Sequence, residues 1–248
     1  MAIKIMLDAG HYGNKYNKGA VEGYYESNMT WELQGYLKKE LESYGFEVGT
    51  TRADKAKDLE VSARGQKAKG YDLLLSLHSN AASTATPDYV ALFHLVNDNT
   101  TKVDDVSKAI AKKLAPVIAE TMNTKQGYQV LTRPVDYDRD RDGQINDNYY
   151  GVLHGADLVN TAAIILEHSF HSNPTVCKWL MNSANLKKLA VAEAEVIAEV
   201  YGYKKKADAD VLYCVQVGAY GVKANADAML KKLKAAGFDG FIATKPKN

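Results

Sequence analysis

Short apolar runs alternate with amphipathic stretches along most of this chain. The first run, Ile3, Ile5, Met6 and Leu7, stops at Asp8-Ala9-Gly10-His11 and reads as a buried strand; the glycine turns the backbone and presents a histidine at the strand's carboxyl end. A loop rich in Gly, Asn and Tyr follows, and from Ser27 or Asn28 to Tyr44 the residues Trp31, Leu33, Tyr36, Leu37 and Leu41 form a helical stripe closed by Gly45. Residues 46–51 read as a second strand. Leu59, Val61, Ala63 and Ala68 suggest a helix ended by Gly70.

The run DLLLSL at residues 72–77 is continuous, the mark of a central strand covered on both faces, and it delivers His78. Residues 89–96 give another strand, residues 103–122 a long helix that Pro116 should kink or interrupt, and residues 128–132 a short strand. A polar surface loop fills the interval to Tyr150. AAIIL at residues 162–166 is the last strand of this series and delivers Glu167; helices then run to about Tyr201, with Leu186, Leu189, Val191, Ala194, Ile197 and Val200 inward. Strands alternating with helices predict an α/β fold with a twisted, largely parallel sheet flanked by helices. In such a sheet, strand ends carry His11, His78 and Glu167 to one edge, and Glu26 stands at a helix start above it.

Composition adds bounds. The chain has 248 residues, 46% hydrophobic and 25% charged, enough for one large domain and a small appendage. Its net charge of +1 hides an asymmetry: residues 204–248 hold nine Lys against four Asp, a basic module on a mildly acidic body. Solvation explains such lysines, and so does attraction to a polyanionic surface. Cys177 and Cys214 lie in apolar contexts, which does not call for a disulfide framework. No run reaches membrane-spanning length and the N-terminus lacks a basic-then-apolar leader. The expectation is synthesis in the cytoplasm without a signal peptide.

Two histidines and two carboxylates at one sheet edge suit a hydrolytic zinc site, in which three His or Glu ligands leave a position for water and a further carboxylate moves its proton. Each histidine alone has a simpler reading as a polar strand end. The sequence has no G-x-S-x-G elbow, H-E-x-x-H pair or P-loop. Glu22 rivals Glu26 as a ligand, since both precede the helix, while His94 and His154 read as ordinary packing.

LDAGH at residues 7–11, Glu-x-Asn at 26–28, L-x-x-x-x-R from Leu59 followed by YDLLLSLHSN, and ILEHSFHSN at 165–173 together resemble the zinc-dependent N-acetylmuramoyl-L-alanine amidases of the Amidase_3 type over residues 3–201. The resemblance implies that His11, Glu26 and His78 bind one zinc and that Glu167 is the catalytic carboxylate; Asn28 in the family pattern favours Glu26 over Glu22. It implies a peptidoglycan hydrolase that cuts between N-acetylmuramic acid and L-alanine, with Asn80, His168, His171 and Tyr150 as candidate substrate contacts. Where the family commonly has Glu-x-Gly-Phe, this chain has Glu-His-Ser-Phe, which gives His168 and His171 either a substrate or a supporting hydrogen-bonding role. Other readings of the same residues are a non-catalytic wall-binding protein and a zinc peptidase acting within the stem peptide.

Asp138, Asp140, Asp142, Gly143 and Ile145 imitate the start of a calcium loop, but Tyr149 stands where its twelfth-position carboxylate belongs, so the segment reads first as a solvated loop and only second as a Ca2+ site. Beyond a linker at 204–210, residues 211–248 read as strand, helix (Ala226, Met229, Leu230 and Leu233 inward) and strand. They resemble half of a SPOR-type peptidoglycan-binding domain, through VQVGAY at 215–220 and the Asn225 to Phe238 pattern. The expected domains are 1–203 and 211–248. The expected partner is peptidoglycan rather than nucleic acid or membrane, with self-association through the half-unit as a further expectation. A phage endolysin released through membrane lesions and a sporulation enzyme freed by mother-cell lysis both fit.

Overall fold

The computed structural model describes residues 2–96, 102–141, 143, 145, 147–205 and 216–244. Two units divide the chain, residues 1–206 and 207–248. In the first, six strands form one sheet among the described residues: β1 (Lys4–Ala9), β2 (Glu47–Thr50), β3 (Leu73–Asn80), β4 (Val90–His94), β5 (Tyr128–Leu131) and β6 (Ala162–Phe170), in the order β2-β1-β3-β6-β4-β5. The first four in this order run parallel, and β4, itself parallel to β5, lies antiparallel to β6. The sheet is therefore mixed, and its parallel half carries the predicted ligands.

The helices are α1 (Glu26–Tyr44), α2 (Val61–Gln66), α3 (Val103–Met122), α4 (Gly151–Asp157), α5 (Pro174–Leu180) and α6 (Ser183–Tyr201). Strand alternation assigns side chains to two faces. Leu73, Leu75 and Leu77 join the larger core with Leu33, Leu37 and Leu41 of α1, Ile110 and Leu114 of α3, and Leu189 and Ile197 of α6. Leu74 joins Met6, Ile165, Val152 and Leu153 in the smaller core beneath α4. α3 continues through Pro116 without interruption, contrary to expectation. In α2 the expected apolar stripe is absent: Val61 is 52% exposed, and the buried residues are Arg64 and Gly65.

α2 meets α4 instead through glycines. A Cβ on Gly65 would stand 2.2 Å from the Val152 carbonyl oxygen, and one on Gly155 would stand 2.0 Å from that of Ser62. Neither backbone can yield alone, so these helices approach more closely than any side chain permits.

In the second unit α7 (Lys223–Ala235) holds Ala226, Met229, Leu230 and Leu233 half-buried while the rest of the helix is exposed. No strand forms in residues 216–222 or 236–244, where a flanking strand was expected, and Phe238 and Phe241 are largely exposed. The first expected strand at 211–215, with Cys214, lies outside the described residues.

Gly155→Ala should destabilise the first unit by about 2 kcal/mol, as overpacking does, which corresponds to a fall of about 4–8 °C in thermal midpoint. Calorimetry of the variant checks it; an unchanged midpoint would show that α2 and α4 separate freely.

Candidate active site and metal centre

The parallel strands β1, β3 and β6 end at one edge, and their register sets His78 directly beside Glu167. Both side chains lie on the α2/α4 face. His11 follows β1 after Gly10 and adopts a left-handed backbone, with φ 60°. Its turn is tied down from several sides: the Gly10 carbonyl accepts from Thr30 Oγ1 (2.9 Å), the Ala9 carbonyl from Arg52 Nη2 (2.6 Å), and the His11 carbonyl from Arg64 Nη2 (3.4 Å). Arg64 also pairs with buried Asp8 at 3.6 Å, whose oxygens accept from the hydroxyls of Thr51 and Ser76. Gly10 is required for a separate reason: a Cβ there would lie 2.4 Å from Cε1 of His78.

Glu26 opens α1 at only 1% exposure, and both its oxygens are engaged. Oε1 accepts from the Ser79 backbone N–H (2.8 Å) and meets His78 Nδ1 at 3.0 Å; Oε2 meets His11 Nε2 at 3.0 Å and accepts from Asn17 Nδ2. Burial alone would raise the Glu26 pKa, yet the bonds from His11 and His78 hold it well below the usual carboxylate range. Burial likewise opposes charge on His78, but Glu26 overrides it and raises the imidazole to about 9. Glu22, by contrast, is exposed.

Ligand atoms of His11, Glu26 and His78 lie within 4.8 Å of one another. Two imidazole nitrogens and a carboxylate oxygen on a half-open edge match the donors zinc takes in hydrolytic sites, with room for a non-protein ligand. Glu167 is half-buried next to this set; its Oε2 is shielded from solvent and has no hydrogen-bond partner. Burial, opposed by His78 and assisted by the negative Glu26, lifts Glu167 to about 7. A carboxylate with a free oxygen and a near-neutral pKa is suited to proton transfer.

The predicted substrate contacts divide. His168 is fully buried on the opposite face of β6, where Nε2 meets Glu193 Oε1 of α6 at 2.7 Å and Nδ1 meets the His78 carbonyl at 2.9 Å. Two acceptors require both ring nitrogens to donate, and Glu193 raises the His168 pKa against the effect of burial. Substrate cannot reach His168; it supports the backbone of His78. His171, also buried, meets Ser79 Oγ at 2.9 Å and lies 3.8 Å from Glu26 Oε2, with Tyr24 closing the network through its hydroxyl, 2.6 Å from Ser79 Oγ. It too supports the His11–Glu26–His78 cluster from behind. Asn80 is half-buried at the edge and caps the Ala81 N–H, while Tyr150 packs on Phe93 and its hydroxyl accepts from Arg133 at 3.4 Å.

Asn17, Tyr24 and Glu193 were not anticipated: the burial of Glu193 and the left-handed backbone of Asn17 become visible only in the folded chain, and the one sequence signal is that Glu193 interrupts the apolar face of α6. Asp138 and Asp140 gather with Asp147; Asp142 of the expected calcium loop lies outside the described residues. The loop's own N–H groups of Arg141 and Gly143 occupy Asp138.

The profile of the family described as N-acetylmuramoyl-L-alanine amidase matches residues 5–199, and that of the SPOR domain matches residues 203–248. In sequence the chain is similar to N-acetylmuramoyl-L-alanine amidase CwlM of Bacillus licheniformis, 26% identical over 245 residues that span 97% of this chain and 84% of that one. It is also similar to the sporulation-specific N-acetylmuramoyl-L-alanine amidase of Bacillus subtilis (strain 168), 25% identical over 98% of this chain and 85% of the relative. Its fold matches the catalytic domain of CwlV from Bacillus (Paenibacillus) polymyxa var. colistinus with a TM-score of 0.64, at 18% identity, over 82% of this chain and 99% of that one.

Gly10→Ala should displace the His78 ring and lower bound zinc well below one per chain while leaving the helical circular dichroism intact. Full zinc occupancy in this variant, measured by elemental analysis, would show that the ring moves aside without leaving the site.

Proposed function

Since the chain belongs to the N-acetylmuramoyl-L-alanine amidase family, we propose that it hydrolyses the amide between the lactyl group of N-acetylmuramic acid and L-alanine of the peptidoglycan stem, using zinc at His11, Glu26 and His78 and Glu167 as general base. The observation that carries this reading is the pairing of a three-donor cluster with an adjacent carboxylate that has an unpartnered oxygen. Zinc bound there would supply an acidified water and polarise the scissile carbonyl. Glu167 accepts a proton from the attacking water and delivers it to the departing alanine nitrogen as the C–N bond breaks, which leaves a lactyl carboxylate and a free amine. Ser79 N–H and Asn17 fix the Glu26 carboxylate, and His168 and His171 brace the strand ends, so the ligands are set before substrate arrives. The SPOR domain at 203–248 holds the enzyme to the wall, assisted by its lysines.

Chelation should abolish release of free stem peptides from purified walls, and zinc should restore it. Glu167→Gln should keep its zinc and fold yet lose about 100-fold or more in rate. Burial raises the pKa of the Glu167 carboxyl, so wild-type activity should rise with pH as that carboxyl loses its proton, and this acid limb should vanish in Glu167→Gln. Mass spectrometry of the products checks the bond: new ends inside the stem peptide would replace this reading with a peptidase.

Removing residues 207–248 should weaken cosedimentation with walls in a salt-dependent way while sparing turnover of a small muropeptide. Equal wall binding by the truncated and full chains would reject the targeting role.

A further inference from the structure

Tyr12 and Tyr16 flank the metal centre and belong to neither apolar core. They are 37% and 47% exposed, their rings lie 5.4 Å apart, and Tyr16 stacks on the His11 imidazole at 5.0 Å with an interplanar angle of 23°. The segment that carries them is held to the rest of the site. Gly13 N–H donates to the Lys55 carbonyl (2.8 Å), Tyr16 N–H to Ser27 Oγ (3.1 Å), Ser27 N–H to the Tyr16 carbonyl (3.3 Å) and Glu26 N–H to the Asn17 carbonyl (2.9 Å). Asn17 then donates to the Glu26 carboxylate itself. The aromatic pair is thus fixed relative to two ligands of the proposed zinc.

We propose that Tyr12 and Tyr16 form the subsite for the muramoyl sugar ring, on the glycan side of the scissile amide; this rests on the amidase reading above. The substrate's connectivity supplies the argument. Between the scissile carbonyl and the sugar ring lie only a carbon and an ether oxygen, so a carbonyl held at His11, Glu26 and His78 brings the ring into the immediate neighbourhood of those residues. Tyr16 occupies that neighbourhood through its contact with His11. A pyranose offers a flat face of C–H groups rimmed by hydroxyls, and a tyrosine offers a rigid apolar face with a polar tip, ordered at little entropic cost. The stem peptide leaves the amide in the other direction and has no such face near the cut. The pair therefore selects for the presence of the sugar, a requirement that zinc and Glu167 do not impose.

Two substrates separate these roles: N-acetylmuramoyl-L-alanyl-D-isoglutamine, and D-lactoyl-L-alanyl-D-isoglutamine, which keeps the amide and lacks the ring. With the zinc-loaded full chain, Tyr12→Ala and Tyr16→Ala should each lose about tenfold more kcat/KM on the first than on the second, mainly through KM. The Tyr→Phe variants, which retain the ring face, should stay within about threefold of wild type on both; tenfold corresponds to about 1.4 kcal/mol, the size of an aromatic stacking contact. Titration with the free N-acetylglucosaminyl-N-acetylmuramic acid disaccharide, followed by NMR, should show the same tenfold weakening without any turnover. Equal losses on both substrates, or none on either, would overturn the subsite, as would disaccharide affinity unchanged in both Ala variants. A wild-type chain that binds the disaccharide through these tyrosines yet cleaves neither substrate would retain the subsite and remove the amidase reading.

Discussion

A carboxylate at 1% exposure imposes the main constraint on this architecture. An isolated charge in that position is strongly unfavourable, and Glu26 remains ionised only because two imidazoles, a backbone amide and a side-chain amide converge on it from the loop after β1 and the end of β3. Each partner has its own requirement. His11 needs a left-handed backbone, His78 needs a neighbour without a side chain at Gly10, Ser79 needs to sit in β3, and Asn17 needs a loop folded against α1. The His11–Glu26–His78 cluster and the beginning of α1 are consequently one structure: α1 follows Tyr25 without a side-chain cap, and its first carboxylate is directed to the sheet edge.

Alternation along β6 provides a second level of organisation. Glu167 lies beside His78, and the next residue, His168, points through the sheet to Glu193 on α6. One strand therefore presents a carboxylate raised toward neutrality on one side and a charged imidazole on the other, which also grips the His78 carbonyl. Ser169 then takes φ 57° where the pairing with β3 shifts register, and its hydroxyl donates to Asp88 at 3.1 Å. A glycine would accommodate such a backbone freely; here a hydrogen bond accompanies a conformation that disfavours side chains.

The strands and the candidate ligands were legible in the sequence because uninterrupted apolar runs ending in His or Glu have few alternatives in a parallel sheet. What escaped was contact between distant segments. Glu193 looks like any helical glutamate until His168 is placed opposite it, and α2 showed an apolar spacing although its real contact is glycine on glycine. Pro116 misled for a local reason: a helix packed on both the sheet and α6 tolerates a missing amide that would break an isolated one. The antiparallel entry of β4 left no local trace, since direction depends on a partner strand more than 70 residues away in sequence.

The position of β6 also bears on the order in which the enzyme becomes functional during synthesis. It is the last strand of the sheet in sequence but occupies the centre, between β3 and β4, so neither half of the sheet is closed until residues 162–170 have left the ribosome. Strands that pair across such sequence separations assemble late and slowly. His11, Glu26 and His78 all precede this strand and Glu167 lies within it, so a nascent chain carries the residues proposed to hold zinc well before it has the one proposed to move the proton. Hydrolytic competence thus arrives in a single late step, when most of the catalytic unit has already been made.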